Sequence, residues 1–154
     1  MFEYTYISPI GPLLIIYDDA HIFGVKFDKY QSLEYLHNNL IEKCVKQLDE
    51  YFAGRRRDFE LPLKPAGTPF QESVWWALTK IPYGEIATYG EIAATVGNAK
   101  ASRAVGGANN KNPIAVIIPC HRVIGAGGKL VGYGGGLDKK IHLLELEGYD
   151  TRMS

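Results

Sequence analysis

A cysteine and a histidine are neighbours in the sequence Pro119-Cys120-His121-Arg122, directly after an apolar run. A thiol becomes a strong nucleophile when it loses its proton, and nearby cations lower its pKa toward that state. On an extended backbone the side chains of Cys120 and His121 point to opposite sides. The proline before Cys120 and the glycines after Arg122 predict a tight bend. Such a bend lets the Cys120 and His121 side chains meet directly or through a water molecule. We therefore expect a partly open, reactive Cys120 whose pKa is lowered by Arg122 and His121.

The second cysteine, Cys44, lies on the apolar face of a predicted helix. A free cysteine in such a place is typically a small, inert, buried hydrophobic residue. Because no further cysteine is present, the sequence argues against both a disulfide framework and a zinc knuckle. We expect Cys120, not Cys44, to carry the chemistry.

The segment between Glu91 and Asp138 contains no acidic residue but holds 10 of the 17 glycines. Such a segment is locally basic and tolerates close backbone approach, so a solvated loop and a phosphate-binding surface both explain it. Its cations are Lys100, Arg103, Lys111, Arg122 and Lys129.

Two adjacent glycines, Gly106 and Gly107, interrupt a helix predicted over 101–110. Each costs roughly 1 kcal/mol relative to alanine, so something other than helix propensity requires small side chains there. Close packing against another helix and close approach to a nucleic acid are both open explanations. A second predicted helix over 89–96 precedes the first across a glycine-containing turn, which is the outline of a helix-turn-helix.

The N-terminal elements must form a small sheet and one helix. Alternating apolar residues predict antiparallel strands over 4–8, 13–17 and 22–27. Apolar residues that recur every three or four positions predict a helix from an N-cap at Ser32 to a stop at Gly54.

An irregular connector rich in arginine and proline follows this helix and predicts two domains, 1–64 and 65–154. In the second domain, Thr68 as N-cap and Pro69 at the first position predict a helix that reaches Ile81. The apolar run over 114–118 predicts a buried strand that ends at Pro119.

Composition limits the classes of function. The chain has 154 residues, 17 Lys+Arg against 17 Asp+Glu and 46% hydrophobic residues, which is typical of a folded globular protein and argues against a large basic nucleic-acid platform. It has no apolar run of roughly 18 residues, and its first residues lack the features of a signal peptide. We expect a cytoplasmic protein, or a nuclear one if the source is eukaryotic.

The segment from Asn112 to Val123 closely resembles the active-site signature of the O6-alkylguanine-DNA alkyltransferases (methylated-DNA–protein-cysteine methyltransferases). The Pro-Cys-His-Arg-Val core is highly specific to that family. The resemblance covers about residues 68–149, and residues 9–13 resemble the family's N-terminal domain more loosely. Further positions that match in order and spacing are Phe70-Gln71, Val74-Trp75, Ile81 to Glu85, Thr88-Tyr89, Arg103 to Ala108, Tyr133, Gly135 to Leu137, Lys140 and Glu147-Gly148.

The resemblance implies an α/β (α+β) fold: a small N-terminal antiparallel sheet with a helix (RNase H-like), then a mainly helical C-terminal domain with a helix-turn-helix. It implies a DNA repair protein that transfers an alkyl group from O6 of guanine irreversibly to itself, one lesion per protein. The implied partner is double-stranded DNA containing O6-alkylguanine, bound through the minor groove. No cofactor, metal, membrane or obligatory protein partner is expected.

The resemblance also implies catalytic roles. Cys120 would accept the alkyl group, His121 would act as a base through a bound water, and Glu147 would orient His121. Tyr89 would donate to N3 of guanine, and Asn112 would hold the bend that carries the thiol.

Further residues are implied to bind DNA or the damaged base. Arg103 would fill the gap that the flipped base leaves in the stack, and Ala104 and Gly106 would permit close approach. The backbone carbonyls of Cys120 and Val123 would read the guanine amino group. The remaining implied contacts are the N–H of Gly134 to O6, and Tyr133 and Lys140.

Two positions depart from the pattern. Many relatives have a proline where Ala115 stands and a serine where Gly134 stands, which leaves the preferred size of the alkyl group open.

Three alternative functions also remain. One is a sensor that binds lesions without repair, although such proteins lack the cysteine. The others are a cysteine hydrolase built from the same side chains, and a DNA-binding regulator in which Cys120 is structural or redox-sensing.

Overall fold

The computed structural model of the protein describes residues 1–28, 36–130 and 132–153. The chain forms two compact units. The first contains Met1–Ala66 and Pro113–Ile117, and the second contains Gly67–Asn112 and Ile118–Ser154. A small antiparallel sheet followed by a mainly helical part confirms the predicted fold class. The domain limits of 1–64 and 65–154 stay a prediction.

The first unit contains a three-stranded antiparallel sheet in the order β1 (Phe2–Ser8), β2 (Gly11–Tyr17) and β3 (Ile22–Phe27). Alternate residues of a strand face the same side, and Leu13, Ile15 and Tyr17 of the central strand are fully buried. All three predicted strands are therefore confirmed.

Helix α1 (Asn39–Phe52) completes this unit, with Cys44 buried on its apolar face. The predicted N-cap, Ser32, lies outside the described residues. Leu36, which we expected inside the helix, precedes it, because the Asn38 side chain caps the first turn by accepting from the Ile41 N–H at 2.8 Å. Gly54 follows the C-terminus with φ +74°, as predicted for a stop.

The segment Pro113–Ile117 lies along β3. Val25 donates to the carbonyl of Pro113 at 2.9 Å and accepts from the N–H of Ala115 at 3.0 Å. The predicted strand over 114–118 was nevertheless wrong, because pairing stops after a single bridge at Ile114.

The chain turns sharply where the strand was expected. Ile117 donates to the carbonyl of Ala115 at 2.8 Å, which closes a three-residue turn around Val116. Val116 has φ +70°, a left-handed conformation that strains a β-branched residue. Buried β-branched residues produced the strand prediction, and this strained turn instead redirects the chain before Cys120.

Helix α2 (Pro69–Leu78) opens the second unit. Thr68 and Gln71 form a capping box with Pro69 at the first position, so the predicted start is confirmed. The helix ends at Leu78, three residues before the expected Ile81. The buried Trp75 Nε1 donates to the carbonyl of Ala108 at 2.8 Å and thereby fixes the helix that carries Ala108.

Helices α3 (Tyr89–Thr95) and α4 (Ser102–Asn110) form the predicted helix-turn-helix. The Thr88 and Glu91 side chains form a capping box at the start of α3, and Gly97 with φ +86° turns the chain after it.

Two further contacts position the reactive motif in this unit. Strand β4 (Ala87–Thr88) pairs in parallel with β5 (Val123–Ile124), which joins the start of α3 to the residues after Cys120. Helix α5 (Leu137–Leu146) packs against the motif through a buried stripe with helical spacing: Lys140, Leu143, Leu144 and Glu147. In the described parts of the chain, no helix is long and apolar enough to cross a membrane.

Candidate active site

Cys120 opens a 3-10 turn, Cys120–Arg122, whose three residues are all buried. Cys120 N–H donates to the carbonyl of Ile118 at 2.8 Å around Pro119, and the Asn112 side chain donates to the same carbonyl at 2.8 Å. These bonds hold the bend that carries the thiol. The expected partly open setting was wrong, since only 6% of Cys120 is exposed.

The carboxylate of Glu147 joins the two residues that follow the thiol. His121 Nε2 lies 2.8 Å from Oε2, while Arg122 donates from Nε to Oε1 at 2.7 Å and from Nη2 to Oε2 at 3.0 Å. Arg122 also donates to the carbonyl of Ile81 at 2.7 Å. We expected Arg122 beside the sulfur and on a basic surface, but it is buried and paired with Glu147.

This arrangement determines which nitrogen of His121 carries the proton. Burial alone would raise the pKa of Glu147, but hydrogen bonds from His121 and Arg122 outweigh it and lower the pKa to about 2. Glu147 is therefore ionised at neutral pH and only accepts, so His121 Nε2 must donate to it. Burial lowers the pKa of His121 and keeps the ring neutral. The other nitrogen, Nδ1, is then a free base, buried and without a hydrogen-bond partner among the described residues.

The thiol of Cys120 needs such a base. Burial raises the pKa of Cys120, while hydrogen bonds from Asn112 and Tyr133 and the charge of Lys140 act in the opposite direction. The expectation that Arg122 and His121 would lower this pKa toward the thiolate was wrong. A thiol with a raised pKa is protonated at neutral pH and reacts only when its proton is removed.

Lys140 and Tyr133 belong to the surroundings of the thiol. Lys140 is fully buried and donates to the carbonyl of Val123 at 2.6 Å. Burial lowers the pKa of Lys140 to about 8, against the opposing effect of Cys120. Burial, reinforced by Cys120, raises the pKa of Tyr133 well above its ordinary value. The Val123 carbonyl thus accepts a hydrogen bond from Lys140.

Tyr89, the first residue of α3, is near the same sulfur. Burial and then the charge of Cys120 raise the pKa of Tyr89, which keeps its hydroxyl protonated and able to donate. A side chain on Gly132 would meet this hydroxyl at 3.7 Å. The bare backbone at Gly132 leaves that space open beside Tyr89.

Helix α4 presents its small residues and one cation outward. Arg103, Ala104 and Gly107 are exposed. Outside its own helix, a methyl group on Gly107 would meet no described protein atom within 4 Å, and one on Gly106 would meet only the Tyr89 ring, at 3.9 Å. Packing against another helix therefore does not explain this glycine pair.

Gly134, which also belongs to the implied base-binding set, is exposed. A side chain there would meet only the carbonyl of Asn110, at 3.9 Å, and the φ of Gly134 is not in the left-handed range. The backbone at Gly134 therefore permits a residue with a side chain. The fold does not require glycine at this position, so the space beside it is left open for another reason.

Sequence reasoning missed two polar residues of this region. It did not predict the pairing of Arg122 with Glu147, which lie 25 positions apart. It also overlooked Asn109, which is buried and donates to the carbonyl of Cys120 at 3.4 Å. The spacing of Asn109 with Val105 and Ala108 on α4 was the available signal. Within the described ranges, no group of three or more His, Cys, Asp or Glu side chains is placed to hold a metal ion.

Comparison with protein families matches both parts of the chain. Residues 69–149 match the model of the 6-O-methylguanine DNA methyltransferase DNA-binding domain. Residues 1–65 match the ribonuclease-like domain of the same methyltransferases.

Similar proteins span nearly the whole chain. A methylated-DNA–protein-cysteine methyltransferase of Methanosarcina acetivorans is 52% identical over 96% of this chain and 99% of its own. One from Mycobacterium leprae is 47% identical over 96% of this chain and 92% of its own. The crystal structure of Mycobacterium tuberculosis OGT in complex with DNA is similar with a TM-score of 0.88 and 44% identity, covering 99% of this chain and 98% of that one.

Replacing Glu147 by glutamine should lower the free energy of unfolding at pH 7 by about 3 kcal/mol, because the buried Arg122 loses its counter-charge. The pKa of Glu147 falls from 4.5 to about 2 on folding. The stabilisation is therefore fully present above pH 4.5 and is lost as the pH falls toward 2. Urea denaturation at pH 7 and pH 3 measures both effects.

The exposed Glu145 on the same helix is the matched control. Glu145→Gln should change stability by less than about 0.5 kcal/mol at either pH. A loss in Glu147→Gln that is equally small, or equally large at both pH values, contradicts the assigned ion pair.

Proposed function

Because this chain belongs to the 6-O-methylguanine DNA methyltransferase family, we propose that it repairs DNA by moving a methyl or other alkyl group from O6 of guanine to its own Cys120. One observation carries the assignment to Cys120. It is a buried thiol followed directly by a neutral histidine whose ring is fixed by Glu147, leaving Nδ1 as the base.

The proposed transfer is a displacement at carbon. His121 Nδ1 takes the proton of the Cys120 thiol, through a bound water as the family resemblance implies. The sulfur attacks the alkyl carbon, an S–C bond forms, and the C–O6 bond breaks with its electron pair left on the purine. The positive charge of Lys140 and the hydrogen bonds from Asn112 and Tyr133 stabilise the thiolate while it lasts.

The leaving purine must receive a proton. Tyr89 supports that role because its raised pKa keeps the hydroxyl protonated close to Cys120. Donation to N3 of guanine neutralises the departing base. The thiol proton on His121 then replaces the one that Tyr89 gave up, so the balance of the reaction is thiol plus alkylguanine to thioether plus guanine.

The product ends the activity of each molecule. An S-alkyl thioether, unlike the thioester of a cysteine peptidase, is not opened by water. None of the described side chains around Cys120 supplies a chemistry that removes the alkyl group. One protein molecule therefore repairs one lesion.

The alkyl group of a base in duplex DNA is reached only if the base leaves the stack, at a cost of a few kcal/mol. The outward face of α4 supports docking in the minor groove, since a side chain on Gly107 would point into open space and Ala104 is small and exposed. We expect Arg103, which is exposed on the first turn of α4, to fill the gap left by the base. We expect the protein in the cytoplasm, or the nucleus of a eukaryotic cell, where the DNA is.

The alkyl group should appear on Cys120 and nowhere else. Incubation with duplex DNA containing O6-methylguanine should add the mass of one methyl group, at most once per protein, however much substrate is present. Cys120→Ser should abolish the gain. Cys44→Ser, the matched control, should retain it because Cys44 is fully buried on α1 and burial raises its pKa to about 12. Intact and peptide mass spectrometry measure both the mass gain and the residue that carries it.

A methyl group on Cys44 would contradict the assignment to Cys120. Turnover beyond one equivalent would contradict the proposal and favour the hydrolase alternative.

Arg103→Ala should slow transfer on saturating duplex DNA by about 10- to 100-fold, because the flipped state loses the side chain that fills the stack. The same variant should react almost normally with free O6-benzylguanine, which needs no flipping. Lys100→Ala, an exposed cation just before α4, is the matched control. It should weaken DNA binding and flatten its salt dependence by about one unit of slope, without a rate defect at saturation. Equal losses on both substrates for Arg103→Ala would rule out a role in base extrusion.

A further inference from the structure

Asn109 has a buried acceptor that the protein does not use. The residue lies on the buried stripe of α4 and is only 2% exposed. Its Oδ1 has no hydrogen-bond partner among the described residues. An unsatisfied buried polar group costs about 1–3 kcal/mol, so its retention calls for a physical explanation.

The orientation of this side chain is fixed by the reactive turn. Asn109 Nδ2 donates to the carbonyl of Cys120 at 3.4 Å. The reversed amide would place two acceptors against each other, so the nitrogen must face that carbonyl. Oδ1 is consequently held beside the Cys120 backbone as a fixed acceptor.

The Cys120 carbonyl itself has little remaining capacity. It accepts from the Val123 N–H in addition to Asn109 Nδ2, which uses both of its lone pairs. The family resemblance assigns this carbonyl to the guanine amino group. In this chain, an N–H group of the base would therefore meet a Cys120 carbonyl that already accepts two hydrogen bonds. The Asn109 Oδ1 beside it still has the capacity to accept one.

The chemistry of the damaged base identifies the donor. Alkylation at O6 removes the proton from N1 of guanine, and N3 and N7 are acceptors. The 2-amino group is then the N–H donor that the base retains for hydrogen bonding. We propose that Asn109 is a specificity-determining residue whose Oδ1 accepts a hydrogen bond from the 2-amino group of the flipped O6-alkylguanine. This inference rests on the proposed alkyl transfer and adds a side-chain reader of the base.

A cycle that deletes each partner in turn tests the contact. Transfer rates are measured on duplexes carrying O6-methylguanine or O6-methylhypoxanthine, which is the same base without the amino group. The natural protein should prefer O6-methylguanine by about 10-fold or more, the value of one lost hydrogen bond to a buried partner. Asn109→Leu, similar in size but without an acceptor, should reduce that preference to about 2-fold.

The ratio of the two rates within one variant cancels differences in DNA affinity. Asn110→Leu, at the exposed neighbouring position, is the matched control and should keep the ratio of the natural protein. Asn109→Ala serves as a second variant if Asn109→Leu does not fold.

Two results overturn the proposal. One is equal rates on both duplexes for the natural protein, and the other is an unchanged ratio in the Asn109 variants, which would leave Asn109 as a support for the Cys120 carbonyl alone. Failure of the natural protein to accept a methyl group from O6-methylguanine would instead refute the proposed function.

Discussion

Glu147 accepts hydrogen bonds from His121 and Arg122 in a part of the protein that water scarcely reaches. A buried carboxylate is tolerated only with a charged or strongly donating partner, and Arg122 supplies the balancing charge. Because Arg122 neutralises Glu147, His121 can remain uncharged and still be held by a strong hydrogen bond. The same carboxylate thus fixes the reactive turn and decides that Nδ1 is the basic nitrogen. The reactivity of Cys120 depends on that choice, since burial holds its thiol in the protonated form.

The fold delivers these groups through a few short contacts. One stripe of α5, about two helical turns long, brings Lys140 to the carbonyl of Val123 and Glu147 to the His121 side chain. The β4–β5 pair ties the start of α3, and with it Tyr89, to the residues that follow the thiol. The strained turn at Val116 stores conformational energy immediately before this region, as is common near functional sites. The exposed face of α4 is the surface that we propose to meet DNA.

Local signals were sufficient to predict the three strands and the starts of α2 and α3, because capping side chains and alternating burial act over a few residues. They failed over 114–118, where buried β-branched residues favour a strand but the turn at Val116 ends the pairing. The motif and the family resemblance brought Cys120, His121 and Glu147 together. They gave no indication that Arg122 would pair with Glu147, because this partner lies 25 residues further along. Asn109 and Lys140 are buried because each is spaced at helical intervals from the buried apolar residues of its own helix. Their polar side chains made this spacing hard to recognise from the sequence.

In the unalkylated protein, Glu147 holds His121 as a neutral ring with its proton on Nε2 and its base at Nδ1. Nitrogen-15 NMR of the histidine ring in the unalkylated protein tests this directly between about pH 7 and 9. We expect a protonated, pyrrole-type Nε2 and an unprotonated, pyridine-type Nδ1 throughout that range, since burial lowers the pKa of His121. A proton on Nδ1, or a doubly protonated ring at neutral pH, would contradict it.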